Sequence, residues 1–100
     1  MDYSKLSDNK INAEVALHWL GKGNFGLMNG AVETFGGSFN PCKNPADAWP
    51  IIMGNRITLM HASKGDKWMA QAFDYAIADV STNPLRSAMI CYLMMQESER

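Results

Sequence analysis

Two histidines and two cysteines are the side chains of this sequence best suited to binding a metal or attacking a substrate. His18, His61, Cys42 and Cys91 lie far apart along the chain, and they form no H-x-x-x-H, C-x-x-C or H-E-x-x-H spacing. The cysteines have no nucleophile elbow, oxyanion loop or paired carboxylate motif near them. The sequence therefore predicts no metal and no cofactor. It leaves enzymatic activity unsupported, although a small hydrolase that uses Cys42 or Cys91 stays open.

An aspartate and an arginine hold equivalent positions after two Asn-Pro dipeptides. Asn is a preferred N-cap and Pro suits the first helical position, so Asn44-Pro45 and Asn83-Pro84 predict two helix starts. Asp47 and Arg86 then lie at the third position of each helix. The helix dipole favours the aspartate there, whereas the arginine needs an acidic partner or an anionic ligand. We expect a salt bridge from Arg86 to Asp47 or Asp79, with a carboxylate or phosphate of a ligand or partner as the alternative.

Aromatic side chains are the remaining candidates for binding. Trp19, Trp49 and Trp68 could each stack on a nucleotide base, but a small domain uses most such side chains in its core. We expect Trp49 to be the exposed one, because prolines bracket it on a short helix. Tyr92 is a second candidate for base stacking, with Arg86 as the phosphate ligand. The candidate binding residues are thus Asp47, Trp49, Arg86 and Tyr92.

Composition excludes several classes of protein. A chain of 100 residues with 47% hydrophobic and 19% charged residues fits one globular domain, residues 1–100. The net charge is -1 and no basic cluster is present, which argues against a double-stranded nucleic acid partner. The longest apolar run, residues 88–95, is far shorter than the roughly 20 residues that cross a bilayer. The start of the chain lacks an apolar signal region, so we expect a cytoplasmic protein with two free thiols and no membrane partner.

The elements that must position these residues follow from caps and periodicity. Ser7 predicts a helix from residue 8 to about 20, and the glycine-rich segment 21–43 predicts turns joining short strands, with "GAVETFGG" the best strand. A second helix spans about 45–54 and must kink or stop at Pro50. "RITLMHA" alternates as a strand, while residues 67–80 fit either a helix or two strands, and we favour strands. The prediction is a small α+β domain with about three helices packed on a short antiparallel sheet.

The third predicted helix, residues 84–96, is apolar on nearly every side. Such a helix is either central in the fold or placed at a subunit interface, so a homo-oligomer through it stays open. Three of the eight methionines, Met89, Met94 and Met95, lie on it. Flexible thioethers fill irregular cores, and they also suit surfaces that bind partners by repacking. Core filling is the interpretation that we favour.

Three segments of the sequence carry a family resemblance. "FNPCKNPADAWPIIMGNRITL", residues 39–59, "NPLRSAMICYLMMQ", residues 83–96, and the opening "MDYSKLSDNKIN" resemble the two characteristic blocks and the usual start of the NinX family of phage proteins. The resemblance implies a small accessory protein encoded by lambdoid phages and prophages and expressed in the bacterial cytoplasm. The family has no established activity, so no catalytic residues come with the resemblance.

Two functions from different classes follow from these observations. The first is a non-enzymatic accessory protein that binds a host or phage protein, and so counteracts a host defence or redirects a host process. The second is a small-ligand protein that binds or sequesters a nucleotide signal through Arg86 with Trp49 or Tyr92. An enzyme is the less favoured reading, because the catalytic spacings are missing.

Overall fold

Three α-helices and six strands make up residues 2–72 and 77–98, the part of the chain that the computed structural model describes. The helices are α1 (Asp8–Trp19), α2 (Pro45–Gly54) and α3 (Pro84–Ser98), and a short 3₁₀ turn, Tyr3–Lys5, precedes them. The strands are β1 (Gly26–Met28), β2 (Ala31–Thr34), β3 (Gly37–Phe39), β4 (Thr58–His61), β5 (Trp68–Ala72) and β6 (Ile77–Ser81). The α+β prediction is confirmed, except that the strands form two antiparallel sheets, β1-β2-β3 and β4-β5-β6, where one was expected.

All three helices begin where their capping residues predict. The Ser7 hydroxyl accepts from the Lys10 N–H at 3.2 Å, and Asn44 and Asn83 cap α2 and α3 with their side-chain oxygens. Pro50 lies inside α2, and the helix continues past it to Gly54. The carbonyl that Pro50 leaves without an N–H belongs to Ala46, which is exposed, so water can take the missing place.

The segment 67–80, which the sequence leaves between helix and strands, is two strands where it is described. β5 lies between β4 and β6 in the second sheet, and residues 73–76 fall outside the described residues. Ala70 and Ala72 are buried on the side that faces α3. Small side chains there let the helix approach the sheet closely. Packing against α3 has therefore overridden the local preference for helix.

The first sheet packs on α1 through its middle strand. Val32 of β2 is 1% exposed and lies in the core. Asn29 and Gly30 link β1 to β2, with φ angles of 53° and 85° that define the left-handed turn typical of a two-residue hairpin. The strand predicted at "GAVETFGG" is confirmed as β2.

α3 is the centre of the fold. It packs against α1, α2, β5 and β6, and every residue from Ser87 to Leu93 is buried. Of its methionines, Met89 and Met95 are buried and Met94 is packed against the core. Of the two placements that its composition allows, α3 takes the central one, and its methionines fill the core.

Candidate functional site

Arg86 joins the first turn of α3 to the start of the chain. Its Nη1 donates to the Asp8 carboxylate at 2.7 Å, and its Nη2 donates to the carbonyls of Ser4 at 3.1 Å and Leu6 at 2.7 Å. The Arg86 side chain is 17% exposed. The positive charge of Arg86, which the helix dipole disfavours at this position, is thus stabilised by a carboxylate and two backbone oxygens of this chain.

The expected salt-bridge partners of Arg86, Asp47 or Asp79, are wrong. Asp8 is the partner because α1 packs against α3, which brings the first turns of these two helices together. Asp47 instead accepts the backbone N–H of Asn40 at 2.9 Å and stabilises the turn before its own helix. Burial raises the pKa of the Asp79 carboxyl, and the positive charge of Arg86 offsets part of that rise.

Asp79 carries an unusual buried oxygen. Its Oδ2 is buried and has no hydrogen-bond partner among the described residues. Burial raises the pKa of the Asp79 carboxyl, and a hydrogen bond with Ser87 of α3 opposes that shift. Asp79 lies on the face of β6 that is turned toward α3, and it adds a polar group to the buried side of the second sheet.

The two cysteines do not offer a nucleophile. Cys42 and Cys91 are both fully buried free thiols. Burial raises the pKa of the Cys42 thiol to about 12 and that of Cys91 to about 11. Because the thiolate is the attacking species, these side chains are unreactive at neutral pH. Within residues 2–72 and 77–98, no three His, Cys, Asp or Glu side chains are grouped so as to hold a metal ion.

Asparagines fix the turn that connects β3 to α2. The buried Asn12 donates its Nδ2 to Asn40 at 2.8 Å and accepts the Cys42 N–H at 3.1 Å. Asn83 donates its Nδ2 to the Cys42 carbonyl at 2.8 Å. The start of the 39–59 block is therefore held to α1 and α3 by partly or fully buried polar contacts. These contacts give the side chains of Asn12, Asn40 and Asn83 a structural role.

The four candidate binding residues are not brought together at one cleft. Tyr92 is buried and lies edge-on to Trp19, with ring centroids 6.1 Å apart, so it offers no free face to a base. Asp47 and Arg86 each bond within the fold, as described above. Trp49 alone is well exposed, at 55%, which matches the expectation for this residue.

The tryptophans as a group lie outside the core, contrary to expectation. Trp19 is 39% exposed, and Trp68 is half-buried with its ring edge-on to His61 at 4.7 Å. Smaller side chains, mostly aliphatic, fill the core instead.

Exposed apolar side chains line the outer side of α2, and we call this surface the α2 face. Its helical residues follow the spacing of one stripe and are all exposed: Ala46, Trp49, Pro50 and Met53. Trp19 extends it, because its ring packs over Gly54, where an added Cβ would lie 3.4 Å from the ring. The single charge of α2, Asp47, is turned to the Asn40 backbone. In the sequence, this face is indicated by the predicted helix 45–54, which has apolar residues on all sides and a single charged residue, Asp47.

Other apolar side chains are exposed away from the α2 face. Met60 and Val80 lie on the outer side of the second sheet, in register with Met69 of the middle strand. Leu27 and Met28 are exposed on β1, at the edge of the first sheet. Trp68, which is half-buried, lines a shallow pocket with Met60 and Val80 at the second sheet. The edge of β1 has a groove beside it.

Comparison with known proteins identifies one family. The family described as "Bacteriophage P22, NinX" matches residues 2–96 of the chain. No curated protein and no solved structure matches it significantly. Among the described residues, the helices are too short or too polar to span a membrane. The match covers the glycine-rich and strand-forming segments as well as the blocks with Asn-Pro dipeptides, so the chain belongs to the NinX family of phage proteins.

Proposed function

We propose that this protein is a phage accessory protein that acts in the host cytoplasm by binding a host or phage protein through the α2 face. The membership of the family supports a role in phage biology. The exposed pair Trp49 and Met53, one helical turn apart, is the observation that carries the proposal of protein binding. Binding would inhibit or alter the activity of the partner, and so counteract a host defence or redirect a host process.

The composition of the α2 face fits an interface centre. Tryptophan and methionine are enriched in such centres and charged residues are depleted there. Tryptophan is also among the residues that most often dominate binding energy. Met53 is 61% exposed, and its flexible side chain can adapt to a partner's surface beside the rigid rings of Trp49 and Trp19.

The rigidity of this surface supports the same proposal. α2 is capped by Asn44, carries two prolines and is anchored on its inner side by Ala48, Ile51 and Ile52. A surface that is already ordered loses little conformational entropy on binding. The fold therefore holds the apolar side chains in place without burying them.

The test is affinity purification of the tagged protein from infected host cells, with quantitative mass spectrometry of the proteins that co-purify. Trp49→Glu places a charge in the centre of the α2 face, and we expect it to reduce the amount of partner recovered at least tenfold. The matched control is Phe35→Glu, which puts the same charge on a fully exposed aromatic position at the tip of the first sheet. Phe35→Glu should leave recovery of the partner unchanged.

Two results would overturn the proposal. One is recovery of the same proteins in the same amounts with Trp49→Glu, with Met53→Glu and with the wild type. The other is a wild-type protein that recovers no host or phage protein above the level of an unrelated tagged control. Circular dichroism of each variant ensures that a loss of binding is not a loss of folding.

A further inference from the structure

A groove runs between the first half of α1 and the free edge of β1. It holds about 530 Å³ and is lined by side chains of the N-terminal segment, α1 and the β1–β2 hairpin. Leu6, Ala13 and Leu27 supply its apolar surface, and Lys10 and Glu14 also line it. The volume is within the roughly 300–1,000 Å³ range of sites that hold a ligand.

The backbone of β1 is available along this groove. β1 is an edge strand of the first sheet, and all three of its residues are exposed. In a two-residue hairpin the residues that flank the turn, here Met28 and Ala31, form a hydrogen-bonded pair. The next pair, Leu27 and Val32, is then a non-hydrogen-bonded one. The N–H and C=O of Leu27 consequently point away from β2, toward the groove side of the strand.

The side chain of Leu27 reinforces this geometry. Leu27 is opposite Val32, so both side chains lie on the face of the sheet that is turned to α1. Val32 of β2 is buried against α1, whereas Leu27 of β1 is 61% exposed because no strand lies beyond it among the described residues. The groove therefore lies beside the open edge at which a fourth strand would pair.

We infer that this groove is a binding site for an extended, apolar peptide segment of a partner protein, which adds to β1 as a fourth strand. The outward N–H and C=O of Leu27 would bond to the peptide backbone, as in other sheet-edge complexes. An apolar peptide side chain would lie beside Leu27 over Ala13. This site goes beyond the α2 face, and it uses backbone hydrogen bonding where that face uses side-chain burial.

Charge and size select the occupant. Lys10 and Glu14 give the groove one charge of each sign. A strongly charged segment would therefore be attracted by one of them and repelled by the other. β1 has three residues and is about 10 Å long. Pairing two copies of this chain through so short an edge would bury much less than the roughly 1,200 Å² of a stable interface. A flexible segment of a partner fits this edge better than a second folded copy.

The experiment selects binders from a random peptide library displayed on yeast, using the full-length protein as bait. The expected peptides have apolar residues at alternate positions and no proline at the centre. Synthetic versions of the selected peptides are then measured by fluorescence anisotropy. Leu27→Pro removes the outward N–H and should weaken binding by about tenfold or more, since Pro is tolerated where an edge N–H faces solvent.

Matched variants separate the site from the fold and from the α2 face. Ala13→Arg fills the groove from the α1 side and should also abolish binding, whereas Met28→Ala, on the opposite side of β1, should change the dissociation constant less than twofold. Trp49→Glu should bind the peptides as the wild type does, so the two proposals can fail separately. Hydrogen exchange at the Leu27 amide should slow on binding.

Three outcomes would overturn the inference. The first is a selection in which no peptide is enriched by the wild type over Ala13→Arg. The second is binding that neither Leu27→Pro nor Ala13→Arg weakens, with both variants folded by circular dichroism. The third is sedimentation that shows a dimer which Leu27→Pro dissociates, because a second copy would then be the occupant.

Discussion

α2 and α3 begin with the same dipeptide and end up in opposite surroundings. In both helices an Asn side chain accepts a backbone N–H of the first turn and a Pro follows at the first helical position. α3 then buries seven consecutive residues, 87–93, whereas α2 buries three, Ala48, Ile51 and Ile52. The capping signal therefore decides where a helix starts and carries no information about how deeply the helix is buried.

The difference arises from what packs on each helix. α3 is contacted by α1, α2 and two strands of the second sheet, so neighbours surround it. α2 has α3 on one side and leaves the other side open. Both helices are apolar on nearly all sides, and only one of them has enough neighbours to cover that surface. The uncovered one is the candidate interface.

Truncating one methionine in each helix should give the largest difference in the free energy of unfolding. Met89 of α3 is 0% exposed, so Met89→Ala should lower the free energy of unfolding by about 2–5 kcal/mol. Met53 of α2 is mostly exposed, so Met53→Ala should change it by less than about 0.5 kcal/mol. Urea denaturation followed by tryptophan fluorescence measures both. Equal losses would mean that the α2 face is covered in solution.

Removing the N-cap of each helix should give a smaller difference in the free energy of unfolding between the α2 and α3 variants. Asn44→Ala loses one exposed cap and should cost about 1 kcal/mol. Asn83→Ala also removes the donor to the buried Cys42 carbonyl, so we expect a cost of about 2–3 kcal/mol. Asn83→Ser keeps a capping oxygen without that donor and should fall between them. Equal unfolding energies for Asn44→Ala and Asn83→Ala would show that the contact with Cys42 contributes nothing.

The smallest effect concerns pH and the buried side of the second sheet. Burial raises the pKa of Asp79 above its usual 3.8, so the folded protein holds that proton more tightly than the unfolded chain does. Stability from this group is thus greatest below the unfolded pKa, falls as pH rises toward the folded pKa, and is constant above it. Asp79→Asn removes this dependence. The substitution should raise the melting temperature at neutral pH.

A control at acid pH sharpens that measurement. Below the unfolded pKa, Asp79 is protonated in both states, so the wild type and Asp79→Asn should melt at nearly the same temperature. The charged and titratable groups that act on Asp79 are Arg86, Asp2 and Cys91. Melting temperatures that differ by the same amount at every pH would show that the effect is one of packing and not of charge.

The sequence by itself determined the local structure. Ser7, Asn44 and Asn83 fixed the starts of three helices, because a cap and its N–H partners lie within three residues of each other. Alternation and turn residues likewise determined β2 and β4. The class of fold followed from the order of these elements. The expected exposure of Trp49 followed from its place between two prolines on a short helix.

Only the tertiary structure decided which surfaces face each other. Arg86 pairs with Asp8, which is 78 positions away, and no local rule prefers that carboxylate to Asp47 or Asp79. The division of the strands into two sheets, the burial of Tyr92 and the open edge at Leu27 depend in the same way on long-range packing. Caps and turns act over a few residues, whereas exposure is set by whichever elements arrive at a surface, and that information is spread over the whole chain.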